Sequence, residues 1–464
     1  MKAIFTLFIA LLCSIQFLAL VAQERSLKIP FVKGELSEAA YAGDTSGLLV
    51  ANVASMEEAE QKGQKGRYPG VKIYRINAQG EKLWEVLSGQ QSSHGLLLGS
   101  GVMGKIIHSS NLEYAYYVYG SKDNLSLLQI DDKGRTKFLK AENLVKFNFL
   151  HALFCTKEKL GILVRQGPLG APKTTQTLHL WNNHDLNKSE VMLTLPQHPQ
   201  GEKYEAWSYI GNNEESIFFM SRSHFYDDKV RVKFLAVGLD GQIQKSFDLN
   251  FTANKPLRLF YFPHTRRFQR AAFLDTDLDR IDADGAVQLD IRHNAIYTWG
   301  IGMWIDEVDR KKTREGFYLN KYDLNGRFEW TYQSVLPESL FKNGLVISRE
   351  YLATAMHVDY DSTPRLHIKG ANTLHTLVFS AEGQLKETFS NKHVGLLKSS
   401  DVAFDFIGRE ESPAFLLTKK RLAEELKNSI YDKSSFHFYR FIGGEMLTEF
   451  SPKQDRFNVY WFKR

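Results

Sequence analysis

An all-β architecture is predicted by three features of the 464-residue chain. Gly is frequent at 33 residues and Pro sparse at 12, and Phe and Tyr dominate an aromatic share of 13%, which suits many short strands joined by tight turns. One phrase recurs: DLNGRFEW from Asp323 to Trp330, NAQGEKLW from Asn77 to Trp84, and DDKGRTKF from Asp131 to Phe138. After the turn glycine, apolar residues fall two apart, as at Phe328, Trp330 and Tyr332 or Val287, Leu289 and Ile291, which is the period of a half-buried strand sharing one face. Units of roughly 40 to 60 residues, each mostly strand, cannot bury both faces alone and must stack on their neighbours. The predicted fold is a β-propeller of four-stranded antiparallel blades, eight by the count below, with seven as the alternative.

The chain opens on a leader. Lys2 precedes an apolar stretch from Ala3 to Ala22 broken by Thr6, Ser14 and Gln16, and Gln23-Glu24-Arg25 follows. A short positive region, an apolar core and a candidate cleavage site after Ala22 predict a signal peptide over 1–22, although Leu20 at the minus-three place is larger than usual. An uncleaved anchor is the competing reading, since about 20 apolar residues can just span a bilayer. Cys13 has Leu12 before it rather than a small residue, which argues against lipidation. The mature chain, 23–464, reads as one propeller domain with no transmembrane segment, exported to a periplasmic, secreted or cell-surface location. Only Cys155 remains in it, so no internal disulfide forms; a chain this long buries enough core without one. Cys155 follows an apolar run and reads as a packed thiol.

The hairpins come next. Turn glycines stand at Gly80, Gly134, Gly241, Gly285, Gly326 and Gly383, and three residues earlier stand Asn77, Asp131, Gly238, Asp282, Asp323 and Ser380. An Asx or Ser side chain hydrogen-bonds the backbone two residues onward and starts a type I turn; the glycine then closes a bulged hairpin in the left-handed conformation. A further hairpin is expected near Asn187 and a degenerate eighth at Gly443-Gly444. An apolar strand precedes each: GLLVANV, EYAYYVY, LGILVRQ, SIFFMSR, QRAAFLD, TWGIGMW, YLATAMHV and AFLLTKK. FNVYWF near the C-terminus could pair with LKIPFV near the N-terminus and close the ring.

The motif of Asx, two residues, Gly, three residues and Trp resembles the quinoprotein-type (PQQ-like) propeller repeat and the hairpin repeats of exported bacterial propellers. Trp84 and Trp330 hold the Trp place and Phe138 stands in for it, while Lys245, Leu289 and Glu387 depart from it. The resemblance implies a propeller fold across most of the mature chain. It concerns turn and packing, and no quinone-binding or calcium-binding residue carries over, so no cofactor is expected.

Charge and motifs narrow the function classes. Hydrophobic content is 43%, charged content 24% and formal charge +6, with both signs interleaved; a nucleic-acid footprint needs a clustered basic face. Asp275, Asp277 and Asp279 alternate as calcium-binding carboxylates can, yet Arg280 and Ala286 stand where the calcium loop needs Gly and Glu, leaving a weak calcium candidate. Gly99, Gly101 and Gly104 match a dinucleotide spacing, but the following KIIHSSNLEYAYYVY reads as strand and not as the required helix. Trp299 and Trp304 could form a sugar platform, though inner-strand packing accounts for them more simply.

Function on repeat scaffolds sits on variable connections held by a rigid frame. The segments read here as joining second to third strands are long: 55–70, 166–176, the stretch from Ser221, the stretch from Asp306, the stretch from His357, and 419–435. Arg67, Tyr68, His224, Tyr226, His357 and Tyr360 are the candidate binding residues on that face. The expectation is a monomeric, non-catalytic binding or scaffold module for a protein, glycan or envelope component. The alternative is an enzyme with a central pocket, either a quinoprotein-like oxidoreductase or a carbohydrate-active hydrolase or lyase.

Overall fold

The computed structural model describes residues 25–30, 38–41, 47–53, 71–77, 81–88, 105–121, 124–142, 148–166, 175–198, 207–222, 232–249, 257–259, 286–305, 313–335, 353–358, 362–369, 374–391, 435–441, 444–451 and 456–463. They belong to two compact units, Met1–Ser93 with His393–Arg464, and His94–Lys392.

After β1 (Arg25–Pro30), the first unit continues with β2 (Glu38–Tyr41), β3 (Gly47–Val53), β4 (Val71–Asn77) and β5 (Lys82–Ser88), one sheet in chain order. The second unit holds five sheets, each in chain order. The first three are β6 (Lys105–His108) to β9 (Thr136–Glu142) through β7 (Tyr114–Ser121) and β8 (Asn124–Asp131); β10 (Asn148–Cys155), β11 (Lys159–Gln166), β12 (Thr175–Asn182) and β13 (Lys188–Thr194); and β14 (Ser208–Asn212), β15 (Ser216–Arg222), β16 (Val232–Gly238) and β17 (Ile243–Leu249). The fourth contains β18 (Leu257–Leu259), β19 (Ala286–Asp290), β20 (Ala295–Ile305), β21 (Thr313–Asp323) and β22 (Phe328–Val335). The fifth is β23 (Ala353–Val358), β24 (Pro364–Lys369), β25 (Leu374–Phe379) and β26 (Leu385–Asn391). The chain then returns to the first unit with β27 (Ser435–Phe441), β28 (Gly444–Ser451) and β29 (Arg456–Lys463), and β1 completes that sheet on the outer side of β29. Among the described residues the pairings are antiparallel throughout.

The pairing of the two chain ends expected from sequence is present: Leu27 lies opposite Val459 and Ile29 opposite Phe457. The count of units differs. The described residues form seven sheets, because the strand after Gly285 founds no sheet of its own. β18 pairs with β20 from Gly302 to Trp304 and β19 with β20 from Ala295 to Trp299, so two short strands share one edge of one sheet. Gly443-Gly444 is also not a third-to-fourth-strand hairpin; it joins β27 to β28, since Phe441 pairs with Gly444.

The turn chemistry holds where it is described. In the turn at Asp323, the carboxylate Oδ1 accepts from Asn325 N at 2.8 Å and Arg327 N at 2.9 Å, and Gly326 N donates to Asp323 O at 3.0 Å. Ser380 Oγ plays the same part for Glu382 N and Gln384 N, each at 3.2 Å. Gly326 and Gly383 have φ of 79° and 82°, in the left-handed region, and a register shift follows in each hairpin. A second constraint fixes these glycines. A Cβ at Gly383 would stand 2.4 Å from Trp330, and one at Gly326 2.2 Å from Phe247, so each turn is pressed by the outer strand of the preceding sheet. Near Asn187 the left-handed place is taken by Leu186 (φ 61°), with Asn182 Oδ1 accepting from His184 N at 2.8 Å.

The bulge also corrects one facing. Phe328 lies opposite Tyr322 but Trp330 opposite Lys321, so the extra residue turns Phe328 away from the face shared by Trp330 and Tyr332. Phe328 is exposed, whereas Trp330 packs against the cluster that joins β20–β22 to β23–β26. Phe138 does not reproduce that packing and is exposed.

Apolar clusters lie between consecutive sheets of the second unit. Tyr116, Leu127, Leu160 and Trp181 join the first pair; Leu163, Leu178, Phe219 and Leu235 the next. Phe218, Phe234, Ile296 and Tyr322 join the third pair, and Tyr297, Phe317, Leu366 and Phe379 the last. The three middle sheets of this unit thus bury both faces. Fully burying one such side chain contributes about 1.5 to 3 kcal/mol. Outer strands carry Lys and Glu on their free edges, as Lys188 and Glu190 do in β13, which blunts pairing with other chains.

Candidate functional site

Four antiparallel strands give every sheet two unlike ends. First-to-second and third-to-fourth connections share one, here the turn end; second-to-third connections and the links between sheets share the other, the connection end. At the turn end the chain crosses in residues 132–135, 183–187, 239–242, 324–327 and 380–384. At the connection end it uses 54–70, 167–174, 223–231 and 306–312, and between sheets 195–207 and 336–352. The contrast is not universal, because β7 to β8 takes 122–123, β24 to β25 takes 370–373 and β28 to β29 takes 452–455.

The candidate residues distribute unevenly over this frame. Arg67, Tyr68, His224, Tyr226 and Tyr360 lie outside the described residues, as do Asp275, Asp277 and Asp279. His357 is placed, and its location corrects the reading of that segment as a second-to-third-strand loop. It lies inside β23, the first strand of its sheet, opposite Arg365 of β24. YLATAMHV alternates like a second strand, but PRLHIK supplies the second strand here. Of the two Trp residues weighed as a sugar platform, Trp299 is core, 6% exposed between two sheets. Among the described residues no group of three or more His, Cys, Asp or Glu side chains is disposed to hold a metal.

The described part of the connection end that carries chemistry lies over the interface of β10–β13 with β14–β17. β10 bulges between Leu150 and Ala152, and β14 between Tyr209 and Gly211. Bulges re-aim side chains, and the one at His151 turns its ring across the sheet: Nδ1 is 2.7 Å from Gln176 Oε1, and Tyr209 N donates to Nε2 at 3.3 Å. An imidazole that accepts at Nε2 and faces a carbonyl oxygen at Nδ1 is neutral with its proton on Nδ1. His151 is thereby bound to the inner strand of the next sheet. Beside it, Ser221 at the end of β15 lies 3.0 Å from His198 Nε2. The His198 ring stacks on Trp207 with centroids 5.1 Å apart, and Trp207 Nε1 donates to Pro196 O at 2.9 Å. Burial raises the Tyr209 hydroxyl well above its ordinary pKa, so it stays protonated and donates to Asn212 Oδ1 at 2.8 Å. Two imidazoles, a serine hydroxyl, a glutamine and an indole therefore cap this interface with polar atoms.

Sequence reasoning missed His151, Gln176 and His198. The one local signal was the repeated departure from strict alternation in NFLHALFC, which marks a bulge.

A second polar cluster sits at the turn end, between β6–β9 and β10–β13. Tyr116 Oη donates to Asn183 Oδ1 at 2.7 Å, and Gln129 Nε2 donates to Tyr116 Oη at 2.7 Å and to Asn183 O at 2.6 Å. Asn183 Nδ2 donates to the carbonyls of Thr156 and Lys157 at 3.1 and 2.9 Å. Burial pushes the neighbouring Cys155 thiol up to about 12, so it holds no thiolate at neutral pH and is inert. These groups satisfy one another and close a core.

No family model matches the chain, and no curated protein matches it. Among solved structures it is similar to the β-propeller domain of the Trilobed protease from Pyrococcus furiosus, at 8% identity over 95% of this chain and 96% of that one, with a TM-score of 0.39. It is similar to the polysaccharide lyase Uly1 at 10% identity, covering 96% and 100% of the two chains, TM-score 0.43. The Dos1 propeller is 9% identical over 79% and 77%, TM-score 0.33. At this level of likeness none lends the chain an activity.

Proposed function

We propose that the chain is an exported β-propeller, its seven sheets serving as blades of one domain, that binds a protein, glycan or envelope component at the connection end. The carrying observation is the division of labour between the ends: uniform, hydrogen-bonded turns on one side, long and dissimilar connections on the other. A frame of that kind presents loops and leaves their sequence free to vary. The leader over 1–22 supports export, and the interleaved charges support a partner other than nucleic acid. The quinoprotein-type resemblance rests on the turn and on Trp84 and Trp330, and where the Trp is described in contact it wedges under the next hairpin: Trp330 Nε1 donates to Ala381 O at 2.8 Å.

A thermal-shift series on the purified mature chain tests this, with calcium, pyrroloquinoline quinone and a panel of envelope oligosaccharides as probes. A shift with an oligosaccharide, abolished when 54–70 and 167–174 are replaced by short Gly-Ser linkers, is the expected outcome. A large shift with the quinone overturns it.

One observation favours a second reading, that of an enzyme. A serine hydroxyl hydrogen-bonded to an imidazole is the starting geometry of nucleophilic catalysis, and Ser221 with His198 has it at the proposed working end. Ser221 is only 1% exposed, which places binding first. Covalent capture of Ser221 by a fluorophosphonate, lost in His198→Ala, would reverse that order.

A further inference from the structure

The sheet β18–β22 packs on β14–β17 through an apolar cluster that also carries a row of polar side chains. We infer that Asn320 and Thr331 hold one internal water molecule at this interface, and that the water completes the hydrogen bonding of the row. The inference is independent of what the connection end binds.

Register sets the row. Thr298 of β20 lies opposite Asn320 of β21, and Asn320 lies opposite Thr331 of β22. Residues two apart on a strand share a face, so Thr298 lies on the face of Ile296, and Asn320 on the face of Tyr322. Ile296 and Tyr322 pack with Phe218, Phe234 and Ala236 of the neighbouring sheet. Three polar side chains therefore stand in line on a face turned toward aromatic and aliphatic groups. Directly opposed side chains on one face have Cβ atoms about 5 Å apart, within the span of a single bridging water.

The bonds inside the row leave one oxygen over on each side of the gap between β21 and β22. Asn320 Nδ2 donates to Thr298 Oγ1 at 3.2 Å, and Thr298 and Asn320 also hydrogen-bond the Tyr322 hydroxyl. The donor side of the amide is thereby committed. Asn320 is fully buried, and its Oδ1 and the Oγ1 of Thr331 are both shut off from solvent with no hydrogen-bond partner in the protein. Leaving a buried polar atom unpaired is costly, and native cores meet such atoms with ordered water. The chemistry of the pair selects the occupant. An amide oxygen accepts, and a hydroxyl both donates and accepts, so a water can donate to Asn320 Oδ1 and pair with Thr331 Oγ1. Two neutral oxygens give no charge to balance a cation, which needs more and harder ligands.

A high-resolution crystal structure of the purified mature chain is the first test. Density for a water within hydrogen-bonding distance of both Asn320 Oδ1 and Thr331 Oγ1 is expected. Its absence, or a direct bond between the two residues, overturns the inference. Thr331→Val, measured by urea unfolding, is the second test, because it removes the hydroxyl at nearly constant volume. If the water is held there, the substitution takes away one of its partners, and the unfolding equilibrium constant should rise roughly fivefold. If the hydroxyl is simply unpaired, its removal leaves the constant unchanged or lowers it, and the water does not complete the row.

Discussion

The two polar clusters of the second unit use similar atoms for opposite purposes. At the turn end, Asn183 is buried; its bonds with Tyr116 and Gln129 join β6–β9 to β10–β13, and those to the carbonyls of Thr156 and Lys157 join the two turns of its own sheet. At the connection end, His151 and Ser221 meet their partners through bulged strands and through the long 195–207 link, beside segments of variable sequence. The first is a clamp whose loss takes away the acceptor of Tyr116 Oη and a donor to each of two carbonyls. The second binds the rim of a core, with His151 and Ser221 buried and His198 half-buried. What the difference teaches is that buried polar residues do not by themselves mark a working site: one cluster here closes two turns, and the other ties strands across the opposite end of the sheets.

The comparison breaks first at Asn183. Asn183→Ala removes the acceptor of Tyr116 Oη and the side-chain donor to the carbonyls of Thr156 and Lys157, and should cost about 3 to 5 kcal/mol in urea unfolding. A loss below about 1 kcal/mol would show that the turn end is no clamp.

Gly383→Ala comes next. It combines a left-handed φ with a Cβ driven into Trp330, and about 2 to 3 kcal/mol is expected. Pairing it with Trp330→Leu should recover part of that loss in a double-mutant cycle, because the clash is removed while the backbone strain stays. Full additivity would deny the contact between sheets.

A smaller effect, about 1 to 2 kcal/mol, is expected for His151→Ala, which removes the acceptor of Tyr209 N and the partner of Gln176. Equal losses at His151 and Asn183 would erase the distinction between frame and rim.

Acidification should sharpen it least but most generally. Burial, reinforced by Lys188, holds the His179 pKa below its ordinary value despite Glu190 Oε1 at 3.2 Å, so that contact is made by a largely neutral ring rather than a full ion pair. Burial lowers His375 in the same direction. For a histidine depressed in the folded state, the unfolded chain binds more protons, so its share of stability is present above the unfolded value near 6.5 and lost as pH falls below it. The midpoint of thermal unfolding should be flat above about pH 7 and fall between about pH 6.5 and 5. Replacing His179 and His375 together by Gln should flatten part of that fall.

Much of the frame is legible in the sequence. Asp323 and Ser380 announce their turns because a side-chain oxygen close to its own backbone reaches amides only a few residues away, and the left-handed glycine follows from the same local sterics. The joining of β1 to β29 was legible from two apolar strands left over at the chain ends. Sheet count was not legible, because a glycine turn and an alternating strand occur at Gly285 without a separate sheet to receive them; whether β19 founds a blade or shares β20 depends on which edge is free. Nor was the facing of Phe328, which one bulged residue reverses.

Residue chemistry close along the chain therefore settled the turns and most of the strands. Only tertiary structure decided which side chains meet. Asn183 finds its partners 26, 54 and 67 residues away, and Ser221 finds His198 across 23. A backbone turn is specified by atoms that cannot move apart, whereas a contact between sheets exists only after stacking has brought remote segments within hydrogen-bonding reach.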